Sequence, residues 1–312
     1  MPILIKNILV GYDGFDRNEG LPALAVSLAQ EHEARLHVLN VIPELPHKAW
    51  KSKHISAEEV HAALVENRRQ QLEQLLATAR RKGLNARSVI RIGRPHEELI
   101  REAISISADL LIVSDEPIHG DRRGFGTVTR KLLRECPCPV LAKRDHRRFK
   151  HRHVLAAVDV EPVEPGSESP NRVILDMAVT IARRAASRLI VLHVWSLWGE
   201  NLLKGGGRLQ EVELHDLLEG TRSERAQLVE DLMSQAKMED IDARLELVKG
   251  EARDLLPSIV AAQDIDLVVM GTVCRAGLKS ILIGNTAEKV LNDLTCSVLA
   301  VKPPGFVSPV SL

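Results

Sequence analysis

Short runs rich in Val, Ile and Leu alternate with longer stretches in which apolar residues recur at helical spacing, the order expected of a parallel sheet covered by helices on both faces. In the first half, strands are predicted near 7–12, 35–41, 87–92, 109–114 and 139–143. Ser56 and Glu59 have the spacing of a capping box ahead of Val60, Leu64, Leu72, Leu75, Leu76 and Ala79, which fall mainly on one stripe that Gly83 ends. In the second half, Ser169 and Pro170 predict an N-cap and first-turn proline for a helix carrying Ile174, Ala178, Ile181 and Ala182. Thr221 and Glu224 predict the opening of another helix through Val229, Leu232 and Met233.

The halves repeat one another. ILVGYDG (8–14) parallels VLAAVDV (154–160), so Asp13 falls on Asp159, and RLHVLNV (35–41) parallels RLIVLHV (188–194). DLLIVSD (109–115) parallels DLVVMGT (266–272), and CPVLAK (138–143) parallels CSVLAV (296–301). The offset drifts from 146 to 158, as it does when loops differ in length and the framework does not. The expected fold is therefore α/β: two tandem open five-stranded parallel sheets, Rossmann-like, each β-α-β-α-β-α-β-α-β. Domain 1 is placed at 1–145, a basic linker at 146–152, domain 2 at 153–304 and a tail at 305–312. The chain's 312 residues accommodate two such domains at roughly 150 residues each.

Composition narrows the function classes. Forty-two basic residues balance 42 acidic ones, which argues against a bulk-electrostatic binder of nucleic acid or membrane. Aromatics are 3% of the chain, too few for base-stacking platforms. The opening MPILIKNILVGYDG predicts neither a leader nor a membrane span, so the expected location is cytoplasmic. Cys136, Cys138, Cys274 and Cys296 are too few and irregular for a disulfide framework, and the C-x-C pair lacks a second pair to complete a metal site. The polar run from Arg144 to His153 reads as solvated linker, with His146, His151 and His153 free of metal.

Candidate chemistry clusters where an open parallel sheet places ligands, beyond the carboxyl ends of the strands. Asp13 and Asp159 end the first strand of each copy, where a carboxylate can accept from a ribose or simply turn the loop; both readings stand. After the fourth strand of copy two, GTVCRAGLKSILIGNTAEKV carries Gly271, Gly277 and Gly284, then Asn285 and Thr286 at a helix opening. Such a loop can present N–H groups to phosphate, or can be a glycine turn with an Asn cap and Glu288 behind it. Copy one keeps Gly124, Gly126 and Thr127 before its helix, but Asp115, Glu116 and Asp121 make it less hospitable to an anion. Loops at 43–55 and 195–210 are also singled out, the latter for Trp195 and Trp198 beside Gly205–Gly207.

Strand-end Asp13 and Asp159, the glycine loop, and the ECPCPVLAK and LTCSVLAVK endings resemble the universal stress protein family over essentially the whole chain, and GNTAEKVL after GTVCRAGL is similar to its tandem E-type members. The resemblance leaves the cofactor unknown, with ATP and magnesium open to domain 2: the family's nucleotide-binding members hold ATP phosphates in a loop of pattern G-x2-G-x9-G-S/T, with the first-strand aspartate and second-strand residues such as Val194 around the nucleoside. Gly271 and Gly284 match that pattern, Cys274 replaces its second glycine, and Asn285 its Ser/Thr, with Thr286 shifted by one. The resemblance also implies pairing of last strands, here 139–143 with 297–302 inside one chain, and leaves a homodimer open.

The expected function is a stress-response protein, a non-catalytic small-ligand-binding module with a degenerate nucleotide loop in domain 2. No Ser-His-Asp order, H-E-x-x-H or Walker A motif is present. The alternatives are a slow ATP hydrolase or adenylyl-transfer enzyme on the same sheet, and a scaffold for an apolar ligand.

Overall fold

The computed structural model describes residues 4–13, 20–44, 56–115, 124–144, 152–161, 169–197, 199–200, 211–272 and 285–312. In chain order the first nine elements are β1 (Asn7–Gly11), α1 (Gly20–Glu31), β2 (Arg35–Ile42), α2 (Ala57–Arg81), β3 (Ala86–Ile92), α3 (Pro95–Ser105), β4 (Leu110–Ser114), α4 (Thr127–Glu135) and β5 (Val140–Lys143). They are followed by β6 (His153–Ala157), α5 (Asn171–Ala185), β7 (Arg188–Trp195), α6 (Glu211–Ser234), β8 (Ala243–Lys249), α7 (Ala252–Ala262), β9 (Leu267–Gly271), α8 (Asn285–Asp293) and β10 (Ser297–Val301). Contacts divide the chain into one unit of Leu4–Phe149 with Ser297–Leu312 and another that runs from Lys150 to Cys296.

In the first unit the strands run β3-β2-β1-β4-β5-β10, parallel up to β5. β10 then pairs antiparallel with β5, Val298 opposite Ala142 and Ala300 opposite Val140. The second unit runs β9-β6-β7-β8, parallel throughout. In both, the chain reverses direction of growth beside its first strand, between β1 and β4 or between β6 and β9, and it is at the carboxyl ends beside such a reversal that open α/β sheets bind ligands.

The central strands are apolar on both faces because helices cover both. Ile8, Leu9 and Val10 are fully buried, as are Val154, Leu155 and Ala156. Each large aliphatic side chain so buried contributes about 2 kcal/mol by area transfer. The predicted stripe of α2 is buried only in its second half, at Leu72, Leu75, Leu76 and Ala79. Its start is as expected: Ser56 Oγ accepts from Glu59 N–H at 3.1 Å while Glu59 Oε2 accepts from Ser56 N–H at 2.7 Å.

Two expected helix starts differ. Pro170 stands at the N-cap of α5 rather than inside it, and Ser169 Oγ accepts from Asn171 N–H at 3.3 Å. Thr221 lies in mid-helix, its hydroxyl donating to Leu217 O at 2.8 Å, because α6 has already begun at Glu211. A threonine that bonds back one turn reads in sequence like a cap. The junction also departs from expectation at its ends: Arg144 is buried, and His153 opens β6.

The repeats share backbone details that no glycine signals. Glu33 and Ala186 end the first helix of each copy at φ near +50°, and Ser107 and Asp264 do so after the third. Asp109 Oδ2 accepts from the N–H groups of Lys6 and Asn7, both at 2.8 Å, and Asp266 Oδ2 accepts from Arg152 and His153 at 2.6 and 3.0 Å. Each carboxylate thus holds the entry of its first strand.

Candidate functional site

At the carboxyl end of β6 the chain leaves the sheet through Val158 and Asp159. Asn171, the buried first residue of α5, fixes this exit: its Oδ1 accepts from Asp159 N–H at 3.0 Å and its Nδ2 donates to Asp159 O at 2.7 Å. Asp159 Oδ1 accepts from Glu161 N–H at 3.2 Å, the turn-forming role open to a strand-end aspartate. Glu161 is gripped in turn by Arg225 of α6, with Nε to Oε1 at 2.9 Å and Nη2 to Oε2 at 2.8 Å. This fork is largely shielded, with the Arg225 side chain only 12% exposed.

Beside it, His193 of β7 is buried, and its Nδ1 lies 3.2 Å from Val158 O. A carbonyl only accepts, so the proton sits on Nδ1 and Nε2 is left as an acceptor. Nε2 has no hydrogen-bond partner among the described residues and lies 4.0 Å from Glu161 Oε1. Burial, chiefly, pushes the imidazole pKa below its ordinary value, while the Val158 carbonyl and the Glu161 carboxylate oppose that shift. The neighbouring Val194 is half-buried near the end of the same strand.

The first copy builds the same corner with a different side chain. Asn40 occupies the position of His193, and its Nδ2 donates to Tyr12 O at 2.6 Å, just before the exposed Asp13. Its buried Oδ1 also has no partner among the described residues. Two orphaned buried acceptors at one position of two repeats are an arrangement that a donor from a ligand or ordered water would satisfy.

The copies part company after their fourth strands. In the first, Gly126 caps α4, and its N–H donates to Asp115 Oδ1 at 2.8 Å. Asp115 Oδ2 lies 3.6 Å from Arg144 Nε, and Arg144 Nη2 donates to Gly124 O at 2.5 Å, with its guanidinium 5.0 Å from the centre of the Phe125 ring. Asp115 and Arg144 side chains are 10% and 4% exposed. A carboxylate of the chain itself therefore takes an amide at the start of α4, and Gly124, at φ +72°, shapes the approach. Thr127 is the first residue of α4. In the second copy the position of Asp115 is held by the neutral, buried Thr272. Gly271 ends β9 as expected, and a Cβ there would meet Pro170 Cγ at 3.1 Å, so close packing against the start of α5 favours glycine without any ligand.

The structure thus gathers Asp159 and Val194 around one corner, with Gly271 on β9, while Asn285 and Thr286 open α8. Gly277, Gly284 and Cys274 lie outside the described residues, as do Trp198 and 201–210 of the second singled-out loop. Trp195 belongs to β7 rather than to that loop, and it is buried under Lys249, whose Nζ is 6.0 Å from the ring centre. Sequence reasoning passed over His193, Asn40, Glu161 and Arg225. The available signal was a polar residue at the same place in both copies of an apolar run, RLHVLNV and RLIVLHV. Among the described residues no group of three or more His, Cys, Asp and Glu side chains is arranged to hold a metal, and no helix is long and apolar enough to cross a membrane.

The model of the universal stress protein family matches residues 4–144 and again 150–302. The chain is 23% identical over 305 residues to the universal stress protein E homolog of Haemophilus influenzae, covering 96% of this chain and 97% of that one. It is 25% identical over 220 residues to universal stress protein E of Escherichia coli K12, covering 70% of this chain and 68% of that one. Among solved structures, a functionally unknown protein from Pseudomonas aeruginosa PAO1 aligns with a TM-score of 0.69 at 25% identity, over 97% of this chain and 94% of that one. A universal stress protein from Archaeoglobus fulgidus aligns at 0.61 and 14% identity over 95% and 98%, a likeness of fold alone.

Proposed function

The chain belongs to the universal stress protein family, and we propose that it is a stress-response binding module whose second repeat takes one nucleotide while its first has given up the anion. The observation that carries this reading is the contrast after the fourth strands. In the first repeat Asp115, paired with Arg144, accepts from the Gly126 amide at the start of α4, whereas Thr272 puts no carboxylate at that position in the second. A nucleoside hydroxyl or amino group is the chemistry that would satisfy His193 Nε2, with Asp159 at the ribose and Gly271, Gly277, Gly284, Asn285 and Thr286 on the phosphate side. Magnesium would accompany a triphosphate. The imidazole of His193, its pKa held down chiefly by burial, lies between the Val158 carbonyl and the Glu161–Arg225 pair, an arrangement suited to accepting a ligand's hydrogen bond.

We place the two repeats at 1–145 and 153–304, in the cytoplasm, joined within one chain through their last strands, a reading supported by the antiparallel register of β5 with β10.

Calorimetric titration with ATP and magnesium tests the reading. One nucleotide per chain is expected, with affinity weakened at least tenfold in Thr272→Asp, which copies the carboxylate of the first repeat. Two sites per chain, none, or steady multiple turnover abolished by Asp159→Ala would overturn it.

A further inference from the structure

Between α4 and β5 the chain reads Cys136-Pro137-Cys138-Pro139. Cys136 caps α4 with extended backbone, its N–H donating to Leu132 O at 3.1 Å, and the two prolines leave the turn little freedom. Both thiols are turned the same way, and their sulfurs lie 3.5 Å apart. Cys136 is fully buried and Cys138 is 7% exposed, so both thiols lie inside the fold.

The tail of the chain brings a cation to the same place. Lys302, one residue past β10, is 6% exposed, donates from Nζ to Leu133 O, and stands 5.4 Å from the centre of the Phe306 ring. Leu133 is in the last turn of α4, whose carbonyls have no helical partner. Burial pulls the Lys302 pKa down to about 7, so at neutral pH a share of it is ammonium; that charge favours an ionised sulfur at both cysteines, while Asp109 opposes ionisation of Cys138 and Glu135 favours the charged lysine. The hydrogen bond between the two thiols, which either sulfur can donate, couples them, holding the pKa of Cys136 down and that of Cys138 up. A buried dithiol with one sulfur poised to ionise, a second within contact and an ammonium close by is more than apolar packing of cysteine needs.

We propose that Cys136 and Cys138 form a peroxide-oxidised, thiol-reducible disulfide, with Lys302 promoting the ionised sulfur. The Cys136 thiolate attacks one oxygen of hydrogen peroxide, an S–O bond forms, the O–O bond breaks, and the departing hydroxide leaves as water with the proton that Cys136 gave up. The Cys138 sulfur then attacks the sulfenic sulfur, an S–S bond forms, the S–O bond breaks, and the second hydroxide takes the Cys138 proton. Two thiols and one peroxide become one disulfide and two waters, and an external dithiol reverses the change. The sulfurs need to close from 3.5 Å to a bond of about 2.05 Å. That closure needs the two side chains to turn toward one another, and a buried pair admits only a small oxidant such as hydrogen peroxide.

The test uses the intact chain, freed of reductant, exposed to hydrogen peroxide at neutral pH, alkylated, and digested without reduction. The tryptic segment Glu135–Lys143 carries both sulfurs and neither Cys274 nor Cys296. It is expected to lose two hydrogens, to resist alkylation and to recover both thiols with dithiothreitol. Lys302→Met is expected to slow the reaction about tenfold and move its pH dependence upward. Two alkylated thiols in that segment while Cys274 is consumed, sulfinic or sulfonic products without the bond, or an unchanged rate and pH profile in Lys302→Met would each overturn the proposal. Mapping the native chain requires no variant to fold.

Discussion

Removing the Asp115 carboxylate separates its two roles, as partner of Arg144 and as stand-in for an anion. Its Oδ1 accepts from Gly126 N–H at 2.8 Å, and a bond from a backbone amide to a charged acceptor is worth about 1.5–3 kcal/mol. Its Oδ2 lies 3.6 Å from Arg144 Nε, and at an effective dielectric near 20 the gross attraction is about 5 kcal/mol, most of which repays desolvation. What decides the outcome is the guanidinium left behind, 4% exposed and without that carboxylate. Breaking one side of a buried pair costs about 3–5 kcal/mol, so Asp115→Ala is expected to lose about 3–4 kcal/mol of unfolding free energy. Asp115→Asn, which keeps an acceptor for Gly126, is expected to lose about 2 kcal/mol. Replacing Arg144 by Met in the Asp115→Ala background should recover part of the loss, because no buried guanidinium is then left without its carboxylate. Urea unfolding followed by circular dichroism measures this, with the slope m unchanged. Sulfate should stabilise Asp115→Ala more than the native chain, since the helix amide is then open to it. A loss within about 1 kcal/mol of native, with no sulfate effect, would refute the reasoning.

Further expectations concern the tail, the strand entries and a packed glycine. Burial pushes the Lys302 pKa down from 10.5 to about 7, so above pH 7 the unfolded chain binds a proton that the native one lacks, and stability rises with pH by up to about 1.4 kcal/mol per unit. Urea midpoints at pH 6, 7 and 8 should show that rise from pH 7 to 8 in the native chain and its loss in Lys302→Met. Above that window the raised pKa of Cys138 contributes the opposite slope. Asp109→Ala and Asp266→Ala should each cost about 2–4 kcal/mol, since each strips two strand-entry amides of one acceptor, and thermal unfolding of the two variants reports it. Gly11→Ala places a Cβ 3.0 Å from both Leu99 Cδ2 and Val113 Cγ1, inside a packed layer, and calorimetry should show a loss of about 1–3 kcal/mol.

Periodicity located the strands because β1, β4 and their repeats are buried on both faces, which leaves uninterrupted aliphatic runs. It located the start of α2 because Ser56 and Glu59 satisfy each other within four residues. Thr221 misled because its side chain bonds within its own helix, a local contact indistinguishable by spacing from a cap. Arg144 looked like linker for a similar reason: an arginine in a basic run gives no sign that a carboxylate 29 residues earlier awaits it.

The amino-acid order alone determined that the chain is a duplicated α/β unit and placed the strands of its first copy to within a residue at each end. These are properties of neighbours in sequence, set by side-chain hydrophobicity and backbone freedom. Folding decided what depends on residues far apart: Asp115 answering the amide of Gly126 and the charge of Arg144, Asn40 and His193 each leaving a buried acceptor, and Lys302 arriving beside two thiols more than 160 positions before it. Charges and hydrogen bonds act across a few ångströms of space, and only the tertiary structure says which side chains share them.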